Sequence, residues 1–240
     1  MKRILLLLLA ISALTGCNSV GSGFDLKVRN DRVSWMNGTV RFQTDLDSKG
    51  KRQDYTGFQA YLKCDNGRII QMPADPYSLG YGASFPMGAS GMYVPNNGYS
   101  QAEILTEDDD RMVIRLHHDP WTLFDEPITL DKQITLFRES PIMAVIDYYS
   151  GSFDLLNVAA GLTSAHVGTV KELERGYSID YPNGITAIII MPGMEQKRFN
   201  EFQGRVFVSK GVTSDEPLHY YIGISDKGKD YLLEELAKIL

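Results

Sequence analysis

The segment RMVIRLHH, residues 111–118, decides the fold class because its apolar residues recur at every second position. Side chains of an extended strand point alternately to opposite faces of the sheet, so this pattern predicts a half-buried β-strand. One face is apolar and carries Ile114, Leu116 and His118, and the other carries Val113, Arg115 and His117. Neighbouring histidines on opposite faces cannot bind one metal ion without distorting the strand, so we expect no metal here.

The residues that follow, Asp119-Pro120-Trp121, predict the end of this strand, because proline cannot extend a hydrogen-bonded ladder. Trp121 then falls in a loop at the rim of the sheet. Exposed there, it would suit stacking against a sugar ring; buried, it would close the end of the fold. His118 is interpreted either as a hydrogen-bonded core residue or as a residue that lines a ligand cleft.

The same two-residue period continues through most of the chain, in segments such as GFQAYLK, ITLDKQITLF and LHYYIGIS. Asn37-Gly38 lies between two such segments and predicts a type I′ hairpin, because both residues tolerate positive φ. Residues 230–240, DYLLEELAKIL, have apolar residues at helical spacing and predict a helix capped by Asp226 or Asp230. We therefore predict an all-β fold, a large antiparallel β-sandwich with a C-terminal α-helix packed on it.

The N-terminus predicts export and a lipid anchor. Lys2 and Arg3 precede a short apolar run that ends in Leu14-Thr15-Gly16-Cys17, the order of residues at which bacterial lipoproteins are cleaved and acylated on cysteine. We expect residues 1–16 to be a signal peptide, residues 17–24 to be the lipidated Cys17 with a flexible tether, and residues 25–240 to form one domain. Asn18 favours an outer-membrane anchor, facing the periplasm or the cell surface.

Composition excludes several classes of function. The formal net charge is −6, and removal of Lys2 and Arg3 with the signal makes it two units more negative, so nucleic acid is not expected as a partner. Cys64 remains as the single cysteine of the mature chain and is expected to be a small buried residue. The sequence lacks the phosphate, zinc-protease and serine-hydrolase motifs. No cofactor is therefore expected.

Two further segments have plain interpretations. Residues 80–91, GYGASFPMGASG, lack the lysine and the following helix of a phosphate loop, and predict backbone packed beneath aromatic groups or a binding loop. Residues 107–111, EDDDR, lack the ligand spacing of a calcium loop and predict a solvated hairpin tip.

The chain resembles the bacterial family named domain of unknown function 4861. The resemblance is carried by an ordered series of short motifs: NDRVSW (30–35), TGFQAYLK (56–63), DPYSLGYGASFPMGASGMYV (75–94), HDPW (118–121) followed by ITLDKQITL, VAAGLTSAH (158–166), and YYIGIS with the terminal YLLEELAKIL. It covers most of the mature chain. This chain is shorter than typical members and is compressed between Lys63 and Asp75, which puts in doubt any activity that depends on that segment.

The resemblance implies a supersandwich similar to galactose mutarotase and a link to the use of uronate-rich polysaccharides. It also implies that His166, Lys63 and Tyr77 lie near His118 and Trp121. In that arrangement the aromatic rings would stack on sugar, the histidines would transfer protons or bind hydroxyls, and Lys63 would bind a carboxylate. For an enzyme acting on a uronate, Lys63, Arg115 or Arg138 is the candidate cation that neutralises the carboxylate.

Three functions remain open at this stage. The first is an outer-membrane lipoprotein that binds or processes carbohydrate, with the membrane contacted through the lipid anchor. The second is a polysaccharide lyase or epimerase on the same scaffold, with His118 or His166 as the base. The third is a structural envelope lipoprotein with a protein partner. Fold alone does not choose among them.

Overall fold

A computed structural model describes residues 20–21, 23–46, 57–73, 80–88, 91–93, 95, 98–162, 168–200 and 205–240. Antiparallel strands in three sheets make up nearly all of its regular structure, with one helix close to the C-terminus. The predicted all-β sandwich with a C-terminal helix is confirmed. No helix within the described ranges is long and apolar enough to cross a membrane.

The first sheet is a five-stranded meander in which each strand pairs with the next along the chain. Its strands are β1 (Asp25–Arg29), β2 (Arg32–Met36), β3 (Val40–Asp45), β4 (Gln59–Lys63) and β5 (Ile69–Gln71). The predicted hairpin between β2 and β3 is present, but its turn differs from the prediction. Gly38 has a φ of 95°, whereas Asn37 does not take a positive φ. The Asn37 carboxamide oxygen instead accepts hydrogen bonds from the backbone N–H groups of Thr39 and Val40.

The second sheet has eight strands in the order β13-β14-β15-β18-β11-β10-β9-β8. They are β8 (Gln101–Glu107), β9 (Arg111–Leu123), β10 (Glu126–Phe137), β11 (Ile142–Gly151), β13 (Thr169–Leu173), β14 (Gly176–Asp180), β15 (Thr186–Ile190) and β18 (Leu218–Ser225). The acidic segment at 107–111 forms the turn between β8 and β9, as predicted, and Asp108 Oδ1 accepts hydrogen bonds from the backbone N–H groups of Asp110 and Arg111.

The third sheet has five strands in the order β16-β17-β12-β6-β7. They are β6 (Ala83–Gly88), β7 (Gly91–Met92), β12 (Leu156–Gly161), β16 (Gln196–Asn200) and β17 (Arg205–Val212). The glycine-rich segment forms β6 and its approach, and its backbone packs beneath aromatic rings, as predicted. A Cβ atom added to Gly82 would lie 2.4 Å from Cε2 of Phe58.

The prediction that Asp119-Pro120 ends its strand is wrong. β9 continues to Leu123, and residues 119 and 120 together lie opposite Thr129 alone, which is a β-bulge. Proline is tolerated because β8 pairs with β9 only as far as His117, so the far end of β9 has one neighbouring strand. The extra residue resets the alternation, and Trp121 returns to the same buried face as His118.

The helix α1 (Lys229–Ala237) packs on the outer face of the eight-stranded sheet, as predicted. Leu232 and Leu236 are its buried residues and contact a second apolar cluster. The predicted caps are wrong, since Gly228 occupies the N-cap and no side chain caps the helix. Leu240, expected in the apolar stripe, is exposed.

Candidate functional site

The residues of the opening segment form a buried aromatic row inside the sandwich. The His118 ring lies 5.5 Å from the Tyr99 ring and 4.7 Å from the Trp121 ring, both edge to face, and the Trp121 ring lies 6.4 Å from that of Tyr149. His118 Nδ1 is 3.1 Å from the backbone oxygen of Asp119. His118 thus has the features of a packed core histidine, and a ligand could reach it only if Tyr99 or Trp121 moved.

Trp121 does not lie at the rim. Its side chain is 6% exposed and belongs to the main hydrophobic core, which matches the reading in which it closes the end of the sandwich. Its indole N–H is buried and has no hydrogen-bond partner among the residues that the structure describes. Stacking of a sugar on Trp121 itself is therefore not possible in this conformation.

Next to this row lies a buried pair of charged residues that is not among the site residues predicted from the sequence. Lys132 on β10 and Asp147 on β11 are cross-strand neighbours, and Lys132 Nζ donates to Asp147 Oδ1 at 2.6 Å, to the Tyr220 hydroxyl at 2.9 Å and to Ser84 Oγ at 3.3 Å. These are the three hydrogen bonds that an ammonium group can donate. The Tyr220 hydroxyl also lies 2.9 Å from the Gly82 carbonyl oxygen and 3.2 Å from Asp147 Oδ2, either of which can accept its proton.

This network joins two sheets, because Ser84 belongs to β6 and the other side chains to the eight-stranded sheet. Ser84 Oγ shares a further hydrogen bond of 2.9 Å with the Tyr149 hydroxyl. Burial raises the pKa of Tyr149 and of Tyr220 well above the usual range, so both phenols stay protonated. Burial also lowers the pKa of Lys132, and the Asp147 carboxylate opposes that shift. The arrangement is that of a structural polar network, in which the Lys132 ammonium group and the hydroxyls of Tyr149 and Tyr220 all have hydrogen-bond partners.

A signal for this pair was present in the sequence. Alternation in ITLDKQITLF puts Lys132 on the same face as four apolar residues, and alternation in MAVIDYYSG puts Asp147 on the same face as Met143, Val145 and Tyr149. One charged residue in the middle of each of two apolar faces is the pattern expected of a buried ion pair.

Arg115 and His117 lie on the opposite face from His118, as the alternation predicts. Arg115 pairs with Glu103 at 2.5 Å, and His117 Nδ1 is 2.9 Å from Asp131 Oδ1. These partners are on neighbouring strands of the same sheet and are partly exposed. Arg115 therefore cannot share a cleft with His118. Within the described residues, no group of three or more His, Cys, Asp or Glu side chains is placed to hold a metal ion.

The other predicted cations lie at the far end of the strands. The β9–β10 register pairs His118 with Leu130 and Arg111 with Phe137, seven residues further along β10, which is roughly 23 Å at the usual rise per residue. Arg138 follows Phe137 directly, so it lies at this far end.

Lys63 lies at the same end of the strands as Arg138. The backbone N–H of Lys63 donates to the carbonyl oxygen of Thr39, and the Thr39 hydroxyl donates to the carbonyl oxygen of Glu139. The structure therefore does not bring Lys63 or Arg138 to His118.

The remaining predicted residues His166, Tyr77 and Cys17 lie outside the described residues. Cys64, expected to be a small buried residue, is 4% exposed and packs in the core. Burial and the nearby Asp226 carboxylate raise the pKa of its thiol, which makes Cys64 a poor nucleophile.

The exposed aromatic group near the buried row is Phe124, three residues beyond Trp121. Phe124 and Asp125 form the turn between β9 and β10, with φ of 50° and 66°. Positive φ at both central residues defines a type I′ turn, which normally carries asparagine or glycine. A phenylalanine in this region is strained, at a cost of about 1–2 kcal/mol.

Phe124 nonetheless remains 61% exposed. Its ring makes an edge-to-face contact with Tyr93 at 4.8 Å between centroids. Gly88 lies beneath both rings, since an added Cβ would be 2.5 Å from Cε2 of Tyr93 and 3.1 Å from Cζ of Phe124. We call Phe124, Tyr93 and Gly88 the aromatic rim. A strand end at Asp119-Pro120 would leave Trp121 free to be the exposed aromatic, but the bulge turns Trp121 inwards and Phe124 takes the exposed position.

Comparisons with known proteins support part of the sequence interpretation. The family described as the prokaryotic membrane lipoprotein lipid attachment site matches residues 1–18, whose single cysteine is Cys17. The chain therefore carries a lipid attachment site and is a lipid-anchored protein of the cell envelope. The match does not extend into the folded domain, so the resemblance to domain of unknown function 4861 stays a prediction. No curated protein matches the chain.

Two solved structures match most of this chain at low sequence identity. The first is described as "Active YidC insertase crystal structure with the first transmembrane domain resolved", with a TM-score of 0.53 and 11% identity over 89% of this chain and 43% of that chain. The second is "Crystal Structure of Heparinase III", with a TM-score of 0.47 and 10% identity over 84% of this chain and 36% of that chain. This chain spans less than half the length of either protein, and the first likeness shows the fold alone.

Proposed function

We propose that this lipid-anchored envelope protein binds a neutral glycan by stacking a sugar ring on the aromatic rim. The observation that carries the proposal is Phe124, a large apolar side chain held in the solvent at a backbone conformation that disfavours it. Strained backbone is found most often where it positions a side chain for function. An asparagine or glycine would form the same turn at lower cost, so the turn itself does not account for the ring.

The surroundings of Phe124 favour a sugar. Aromatic rings bind the apolar C–H faces of sugars, while polar groups beside the ring bind the hydroxyls. Thr122, Asp125 and Glu126 are exposed next to Phe124 and offer a hydroxyl and two carboxylates for this purpose. The buried row of His118 and Trp121 is not required to touch the ligand.

The charge of the rim favours a neutral sugar over the uronate suggested by the family resemblance. Asp125 and Glu126 would repel a uronate carboxylate, and Lys63, Arg115 and Arg138 all lie away from the rim. Binding is proposed in preference to lyase or epimerase chemistry with His118 as the base, because His118 packs against Tyr99 and Trp121 and is 3% exposed.

The test is a binding screen by isothermal titration calorimetry, with full-length lipidated protein in detergent micelles and a panel of neutral and uronate-containing oligosaccharides. We expect at least one neutral oligosaccharide to bind, its uronate counterpart to bind more weakly, and each sugar to be recovered unchanged by chromatography. Failure of every neutral sugar to bind, or binding of uronates alone, would contradict the proposal.

A further inference from the structure

The segment that follows the lipidated cysteine is packed on the sandwich. Val20 is 6% exposed, and the backbone N–H of Gly21 lies 3.1 Å from Sδ of Met36. Phe24 lies beneath the guanidinium group of Arg138, whose Cζ is 4.8 Å from the ring centroid. The chain therefore meets the domain at a fixed place, beside the β2–β3 turn and the turn after β10.

Three turns lock together at this place. The side-chain carboxamide nitrogen of Asn37 donates to the backbone carbonyl oxygens of Phe137 and Ser140, at 2.6 and 2.8 Å. The backbone carbonyl oxygen of Asn37 accepts a hydrogen bond from the backbone N–H of Glu139. The backbone N–H of Arg138 donates to the backbone carbonyl oxygen of Asp110. The guanidinium Nε–H of Arg138 donates to the backbone carbonyl oxygen of Asp109. We call residues 37–39, 108–110 and 138–140 the anchor end of the sandwich.

The lipid can be only a short distance from the anchor end. Cys17 precedes Val20 by three residues, and a chain extends at most about 3.6 Å per residue, so their Cα atoms are at most roughly 11 Å apart. Acyl chains on Cys17 enter the bilayer, which places Cys17 at the membrane surface. The domain therefore cannot move freely on a long tether.

The aromatic rim lies at the other end of the same strands. β10 runs from Glu126, beside the rim, to Phe137, beside the anchor end, without interruption. Eleven residue steps of a strand correspond to about 36 Å. The distance from the rim to the anchor end is thus several times the reach of the chain between Cys17 and Val20.

We infer that the anchor end faces the lipid surface and that the aromatic rim faces away from the membrane. Interlocking of the 37–39 and 138–140 turns keeps the entry point of the chain rigid, so attachment of the lipid also sets the orientation of the domain. The inference rests on the lipid attachment site and on the packing of Val20, Gly21 and Phe24, and it holds whatever ligand the rim binds.

The experiment measures which end lies close to lipid headgroups. Asp109→Cys and Glu126→Cys, exposed residues at the two ends, are each made in a Cys64→Ala background in the full-length protein and labelled with a fluorescent maleimide. Acylated Cys17 does not react with the label. The lipidated proteins are reconstituted into phosphatidylethanolamine–phosphatidylglycerol vesicles, with or without lipids that carry a nitroxide on the headgroup. Cys64→Ala alone gives the background.

We expect nitroxide lipids to quench the label at position 109 several-fold more strongly than the label at 126. Equal quenching at both positions, or stronger quenching at 126, would overturn the inference. A second pair, Glu107→Cys and Thr122→Cys, repeats the comparison with exposed strand residues, so that a local defect in one variant cannot decide the result.

Discussion

Lys132 Nζ lies 2.6 Å from Asp147 Oδ1, and both side chains are fully buried between the eight-stranded sheet and β6. Removal of one partner leaves the other as an uncompensated charge in the core. Lys132→Met should therefore lower the free energy of unfolding by about 3–5 kcal/mol. The double variant Lys132→Met, Asp147→Leu should recover much of that loss, because it removes both charges. Urea unfolding followed by circular dichroism measures both effects.

A surface pair provides the control for this prediction. Lys171 is exposed and Asp180 is partly exposed, with 2.7 Å between their charged groups, and Lys171→Met should change stability far less than Lys132→Met, because solvent screens such pairs. If the single and double core variants were equally unstable, the destabilisation would come from the altered side-chain volumes and not from the unpaired charge.

Gly82 tests the packing of the glycine-rich segment. Gly82 and Gly67 both have positive φ, of 72° and 79°, but an alanine Cβ would collide with the Phe58 ring at Gly82 and meet nothing within 4 Å at Gly67. Gly82→Ala should therefore cost roughly 1–3 kcal/mol more than Gly67→Ala, the part due to overpacking. Thermal unfolding of the two variants gives the difference. Equal losses would show that backbone strain alone explains the need for glycine.

His219 predicts a pH dependence of stability. Burial lowers its pKa from the usual 6.5, so the unfolded chain holds this proton more tightly than the folded protein does. Stability should then fall as the pH drops below about 6.5, and continue to fall until the pH passes the folded pKa. Urea unfolding across this range should show a smaller loss for His219→Gln than for the unmodified chain. Parallel profiles would exclude His219 as the cause.

Arg138 predicts a local effect at the anchor end. Arg138→Ala removes the contact with Phe24, at a cost of about 0.5–1 kcal/mol, and should speed hydrogen exchange in residues 20–29. Glycan affinity should not change, because Arg138 lies far from the aromatic rim. Arg175→Ala, which removes an exposed arginine, is the control and should leave that exchange unaltered. Loss of glycan binding in Arg138→Ala would indicate that Arg138 contributes to the ligand site.

Alternation along each segment is sufficient to predict the strands and the buried face of β9, and the helical spacing of apolar residues is sufficient to predict the docking of the terminal helix. Alternation fails where two residues oppose one, because a bulge inverts the alternation that follows it. Asp119-Pro120 therefore predicts the end of a strand, and the pattern puts Trp121 at a rim that Phe124 occupies in the structure. A local sequence pattern does not show whether a second strand pairs beside the proline, and this decides whether the strand can continue through it.

The predicted cations illustrate a second limit. Lys63, Arg115 and Arg138 have the chemistry to bind a carboxylate, but their positions depend on the register and order of strands from different sheets. Nothing in a short segment fixes those distances. Asn37 shows the same point, since the residue that suggested a turn type also joins two sheets through its carboxamide.

The most direct test of the account measures the affinity of Phe124→Asn for the neutral glycan found in the screen. Asparagine tolerates positive φ, so the turn is preserved while the ring is lost. We predict affinity weaker by about five-fold or more, the equivalent of about 1 kcal/mol for an aromatic contact. Leu155→Ala, which removes an exposed apolar side chain elsewhere, should bind as tightly as the unmodified protein. Unchanged affinity in Phe124→Asn would contradict the proposal that a sugar ring stacks on Phe124.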